Sequence, residues 1–414
     1  MKFIMHSRML YMLANYSAYS LNFLSGLILA RTLGVDQRGT LAFITTFYLI
    51  TLLLVPLNSR NGSSFASIKN SNGPSTAKHF PFRKMFFRVF IVSITCTAIF
   101  DLMLMHRIET VHLMFFSISN LACGLTFYIY FVEGVYRVKD KILDLAVLRF
   151  LGLAVPSIYV FLLFAIGKVE VKLVLLSQFL AVISCTIFLK SRGRLKISFS
   201  YEEYSEQVKK TFLGYALEYL ANIVILLSIT LTANTKTIGY FAIAMSFALI
   251  SETFYPVVES RMLNKIKNLI ANGDSPNFNP LITAIKEIVL SQLIFIPLAF
   301  AIPVIYGNMY GQSVYFAVVL IFTKCIYSIV KLCNNYAVIS DRFNVPILLN
   351  AVYVSVYVLL FYVSQTLELE NSWQISSILT SLFVASIGFM LIRRLKPRNI
   401  IQSISEGNLG SEIV

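Results

Sequence analysis

Apolar runs of about twenty residues recur along the whole chain, separated by short polar stretches. A helix rises 1.5 Å per residue and needs about 20 apolar residues to cross a hydrocarbon core of ~30 Å. On that ruler the pattern predicts twelve transmembrane helices. The first six lie over about 9–30, 39–58, 86–105, 111–135, 142–166 and 171–190, and the second six over about 211–232, 238–258, 281–305, 313–339, 344–366 and 372–392. The first run exceeds the roughly 7–15-residue core of a secretory signal, so it is expected to be a retained helix. The longest connections, 59–85 and 191–210, read as polar, partly flexible loops.

The two sets of six repeat one another. Shifted by 200 residues, positions 13–56 match 213–256 at eleven of 44 places without a gap. The matches include Asn22 with Asn222, Gly39 with Gly239 and Pro56 with Pro256, which apolar bias does not explain. Six is an even number, so both halves start on the same side of the membrane and form parallel repeats. That plan is common among transporters, with a substrate site expected between the halves. The expected fold is therefore an all-α polytopic membrane protein of two parallel six-helix bundles. The expected divisions are 1–195, a linker at 196–210, a second bundle at 211–395 and a tail at 396–414.

Composition agrees. Charged residues make up 13% of the 414 and the mean hydropathy is +0.74, whereas globular domains carry roughly 25% charge. A net charge of +15 would suit a nucleic-acid partner, but the basic residues sit in short loops. With the N-terminus placed in the cytoplasm, 26 of the 35 Lys and Arg fall on the cytoplasmic side. Arg31, Arg38, Arg107, Lys168, Lys172 and Lys236 fall outside, and Arg149, Lys324 and Lys331 lie within spans. That bias orients a membrane protein with both termini cytoplasmic and leaves no role for nucleic acid.

The five cysteines lie in apolar runs without a CxxC pair, and the four histidines have no ligand spacing. Neither a metal nor a cofactor is expected.

Charged and polar groups inside spans are costly and point to function. The tenth span carries Lys324, Ser328, Lys331 and Asn335 at spacings of 4, 3 and 4, one helical face. Lys324 falls near the midplane, and Lys331 is close enough to the cytoplasmic end to snorkel. Arg149 is a third candidate cation, which Asp144 nearby could neutralise. A buried cationic face attracts an anion, and phosphate is the obvious one. The first span carries Asn15 and Asn22, and its repeat carries Thr211, Tyr215, Glu218 and Asn222 on one face. Such a face should point into protein or a water-filled cavity. Glu218 and Glu252, also within spans, are candidates for ion coupling. Glu133 and Arg137, four residues apart, read as a local ion pair.

The segment ARTLGVDQRGTLA at 30–42 resembles the A-R-x-L-G-x-x-x-x-G signature of polysaccharide flippases of the MOP (MATE-like) superfamily, in the O-antigen or Wzx-type branch. IPVIYGNMYGQSVYFAVVL at 302–320 is similar to that family's connection between the ninth and tenth helices. The resemblance implies movement of an undecaprenyl-pyrophosphate-linked oligosaccharide across the bacterial inner membrane, through a cationic cavity often coupled to ions. It also implies the lipid bilayer, a polysaccharide polymerase and a chain-length regulator as partners, and no enzymatic activity. Two alternatives remain: a MATE-like ion-coupled exporter of small molecules, and a membrane-embedded O-antigen polymerase. The short outer loops weigh against the polymerase.

Overall fold

The computed structural model describes residues 2–54, 59–69, 81–138, 141–192, 197, 199–252, 255, 258–259, 261–262, 265–266, 279–339, 344–369 and 372–394. Every regular element among them is helical. The chain divides into two compact units, Met1–Leu213 and Gly214–Val414.

The first unit contains α1 (Lys2–Leu54), α2 (Ser59–Lys69), α3 (Phe82–Leu104), α4 (Thr110–Val138), α5 (Ile142–Ala165), α6 (Val171–Ser191) and the start of α7 (Tyr201–Thr232). The second contains the rest of α7, α8 (Thr235–Ser251), α9 (Asn279–Leu293), α10 (Phe295–Ala299), α11 (Ile302–Tyr306), α12 (Ser313–Ile339), α13 (Asn344–Thr366) and α14 (Ser372–Arg394). In each unit one helix packs against most of the others: α4 against α2, α3, α5 and α6, and α12 against α8, α9, α13 and α14.

Ten helices among the described residues are long and apolar enough to cross a membrane. The difference from twelve has a local cause. The first two predicted spans run together in α1, bent at Gly34, whose φ of 71° and ψ of −179° only glycine adopts without strain. The predicted eighth span is described as α8 over the 17 residues to Ser251, and residues 253–254 and 256–257 of that span lie outside the described residues.

Two hundred residues after Gly34 comes Asn234, which stands between α7 and α8. Its side chain accepts a hydrogen bond from the Thr237 backbone N–H at 2.8 Å, capping α8. The repeat therefore breaks at the same register twice, by a positive-φ glycine in one unit and a capping asparagine in the other.

The predicted ninth span, 281–305, is present as Asn279–Ala299 but is broken at its C-terminal end. Proline clashes with the carbonyl four residues before it. Pro297 and Pro303 stand four residues after Leu293 and Ala299, where α9 and α10 end.

Neither long loop is wholly a loop. Residues 59–69 form α2, laid along α4. Ser63 Oγ donates to the Phe131 carbonyl at 2.8 Å and Ser64 Oγ to the Gly134 carbonyl at 3.1 Å. In the predicted linker, Ser200 and Glu203 make a reciprocal capping box that starts α7. The Ser200 N–H donates to Glu203 Oε2 at 2.5 Å, and the Glu203 N–H to Ser200 Oγ at 3.3 Å. Phe199 and Tyr204 are buried beside Phe131, with ring centroids 5.9 and 5.4 Å from it. Ser200→Ala should remove about 1 kcal/mol from this helix start. Hydrogen exchange of amides 201–206 should accelerate accordingly, and unchanged exchange would mean that aromatic packing alone holds it.

Candidate functional site

The site is assembled on α12, the most buried of the spans among the described residues. Lys324 lies eleven residues in from Ser313, about 16 Å along the axis at 1.5 Å per residue. Its side chain is 7% exposed, and Nζ stands 3.4 Å from Glu252 Oε1, one residue past the end of α8. An ammonium this deep is retained because a carboxylate faces it.

One face of α12 continues toward its C-terminus. Lys331 comes next along that face. Its Nζ lies over the rings of Tyr327 and Tyr255, 5.1 and 5.6 Å from their centroids, and a desolvated cation–π contact is worth ~2 kcal/mol. Asn335 Nδ2 donates to Tyr255 Oη at 3.0 Å and also to Glu259. Ser328, between the lysines, is buried, and its hydroxyl has no hydrogen-bond partner among the described residues. The spacing 324, 328, 331, 335 thus becomes one continuous polar stripe.

Tyr327 carries the stripe inward. Its hydroxyl donates to Asn350 Oδ1 at 3.3 Å, and its ring lies 4.8 Å from that of Tyr353, whose hydroxyl is 3.1 Å from Ser381 Oγ. Tyr357, on the same helix as Tyr353, bonds Ser228 at 2.6 Å. These contacts join α7, α12, α13 and α14.

The predicted acids divide. Glu252 pairs with Lys324. Glu218 is exposed on the spanning part of α7, and its charge reaches Lys331, Tyr255 and Glu259. Asn222 Nδ2 donates back to the Glu218 carbonyl at 2.8 Å, and Tyr215 lies 6.5 Å from Tyr219, centroid to centroid. Asn222 therefore shares its helix face with Glu218 but uses its amide locally. In the first unit Asn22 is exposed, and Ser25 Oγ donates to its carbonyl at 2.8 Å. The side chains of Asn15 and Thr211 lie outside the described residues.

Arg149 corrects one expectation. It pairs with Glu133 rather than Asp144, Nε to Oε1 at 3.2 Å, and Arg60 Nη2 holds the other oxygen, Oε2, at 2.5 Å. Asp144 instead meets Arg192 at 3.1 Å. Five residues rotate about 140° around a helix of 3.6 residues per turn, so Asp144 and Arg149 face apart. Glu133 is therefore bound by two long-range arginines, and the expected pair with Arg137 falls outside the described residues because the Arg137 side chain does. Glu133→Gln should destabilise the first unit toward the lower end of the ~3–5 kcal/mol typical of a broken buried pair, because each arginine is about one-third exposed. Thermal unfolding in detergent measures this, and an unchanged midpoint would show the triad to be energetically idle.

Sequence reasoning missed Tyr255, Glu259 and Arg60. Glu252, Tyr255 and Glu259 are spaced 3 and 4 apart, a helical face that outruns the predicted span end at 258. That spacing was the available signal.

No family model matches the sequence, and no curated protein matches it significantly. The fold does have solved counterparts. An inward-facing multidrug resistance MATE family transporter of the MOP superfamily is similar at TM-score 0.65, with 11% identity, over 95% of this chain and 99% of that one. An outward-facing multidrug resistance MATE transporter of the same superfamily gives 0.65 at 13% identity, over 96% and 95%. The eukaryotic MATE transporter AtDTX14 gives 0.58 at 14% identity, over 99% and 98%. The chain is thus an all-helical, multi-pass membrane protein with a MATE-type fold.

Proposed function

We propose that the protein is an alternating-access flippase. Its cargo is an undecaprenyl-pyrophosphate-linked oligosaccharide, moved from the cytoplasmic to the periplasmic face of a bacterial inner membrane for surface polysaccharide assembly. Buried Lys324, on a stripe with Lys331, Ser328 and Asn335, is the observation that carries this reading. A sugar–pyrophosphate headgroup cannot enter hydrocarbon unaided, and ammonium, hydroxyl and amide groups replace its lost hydration. The signature at 30–42 and the MATE-type fold support the same class.

A second reading has its own observation. Glu218, Glu252 and Glu259 gather around two lysines, and two tyrosine rings flank one of them. An exporter of organic cations would use such a site.

Deleting the gene in its host separates the two. Under the flippase reading a surface glycan disappears and lipid-linked single repeat units build up on the cytoplasmic face. Normal glycan with raised sensitivity to cationic drugs would favour the exporter. Single units that reach the outer face but are never joined into chains would point to a polymerase.

A further inference from the structure

An anionic cargo leaves part of the cluster unexplained, and so does a cationic one. Glu252 pairs with Lys324 at 3.4 Å, and the charges of Glu218, Glu252 and Glu259 all act on Lys331, so three carboxylates face two ammonium groups, a formal excess of one negative charge. The excess is carried most openly by Glu218, exposed on a membrane-spanning helix and without an ion pair among the described residues. A pure anion would enlarge this excess in a low-dielectric setting.

Donors are in surplus too. Lys331 faces two rings and has no hydrogen-bond acceptor among the described residues. Buried Ser328, three residues before it on the same face, has an unpartnered hydroxyl. A pure cation satisfies the carboxylates and leaves these donors unmet, and the buried unpaired hydroxyl of Ser328 alone costs about 1–3 kcal/mol.

We propose that the cluster binds a ligand bearing both a phosphate and an ammonium group. The phosphate oxygens accept from Lys331 and Ser328, and the ammonium lies against Glu218 and the tyrosine faces. This rests on the flippase reading and narrows its substrate to a zwitterionic glycan, one carrying a free amine besides its phosphate. The ligand's ammonium offsets part of the negative charge that its phosphate brings to the cluster, so one molecule meets both needs better than either fragment.

Titration calorimetry on the full chain in nanodiscs tests this with three probes: O-phosphoethanolamine, ethyl phosphate and ethanolamine. Phosphoethanolamine should bind at least tenfold tighter than either fragment. Glu218→Gln should erase its advantage over ethyl phosphate, and Lys331→Gln its advantage over ethanolamine. Because the wild-type comparison needs no variant, a misfolded mutant does not decide the result. Ethyl phosphate binding as tightly as phosphoethanolamine would overturn the inference, with one carboxylate then held as its acid, and would leave the anionic reading standing. Ethanolamine binding as tightly would overturn both and favour the cation exporter. Absence of binding by all three would overturn the inference as well.

Discussion

Lys324→Ala is expected to abolish glycan export in the deletion strain, whereas Lys324→Arg, at matched membrane expression, restores it. Arginine keeps the positive charge and can reach Glu252. Alanine also strands that carboxylate, now facing a buried gap, and removing one partner of a buried pair costs about 3–5 kcal/mol. Loss of export could then follow from loss of folded protein. The double variant Lys324→Ala/Glu252→Gln distinguishes the two. It removes both charges, so thermal stability should return most of the way to wild type while export stays absent. Export recovering together with stability would make the pair a structural bolt and nothing more.

Gly134→Ala is expected to damage the first unit more than any other single methyl group. A Cβ at Gly134 would lie 2.2 Å from the Arg60 carbonyl oxygen and 2.0 Å from Ser63 Oγ, so α2 would have to lift from α4. Overpacking typically costs 1–3 kcal/mol, and here the obstacle is backbone, which cannot rotate aside. Lifting α2 also draws Arg60 away from Glu133. Gly152→Ala is the control, because nothing lies within 4 Å of its Cβ. It should leave the melting temperature unchanged or slightly raised, since alanine is the better helix former by ~1 kcal/mol. Equal melting temperatures for the two variants would mean that α2 is not packed against α4 as described.

Much of this fold is written locally, and the site less so. Apolar run length gives the spans, and the 200-residue repeat matches the break at Gly34 to the one at Asn234. The spacing of Lys324, Ser328, Lys331 and Asn335 marks a polar stripe because helical periodicity is a local property. Helix breaks at Leu293 and Ala299 were equally legible, four residues ahead of Pro297 and Pro303. The partners of that stripe were not. Glu133 meets Arg60, 73 positions earlier in the chain, and Asn335 reaches Glu259, 76 positions earlier. Hydropathy records no such pairing. The α2 sequence SRNGSSFASIK is polar and rich in small residues, so by composition it reads as a loop. Its helix forms against α4, where small side chains allow close approach and serine hydroxyls reach carbonyls.

The most direct test of the central claim is movement of the cargo by purified protein. Proteoliposomes would carry a pyrophosphate-linked prenyl oligosaccharide in one leaflet, and a membrane-impermeant glycosidase would report its arrival in the other. Wild-type protein should expose the glycan well above the rate of empty vesicles, and Lys324→Ala/Glu252→Gln should not. If wild type matches empty vesicles while the same preparation drives an organic cation across the membrane, the flippase account is contradicted and the exporter reading replaces it.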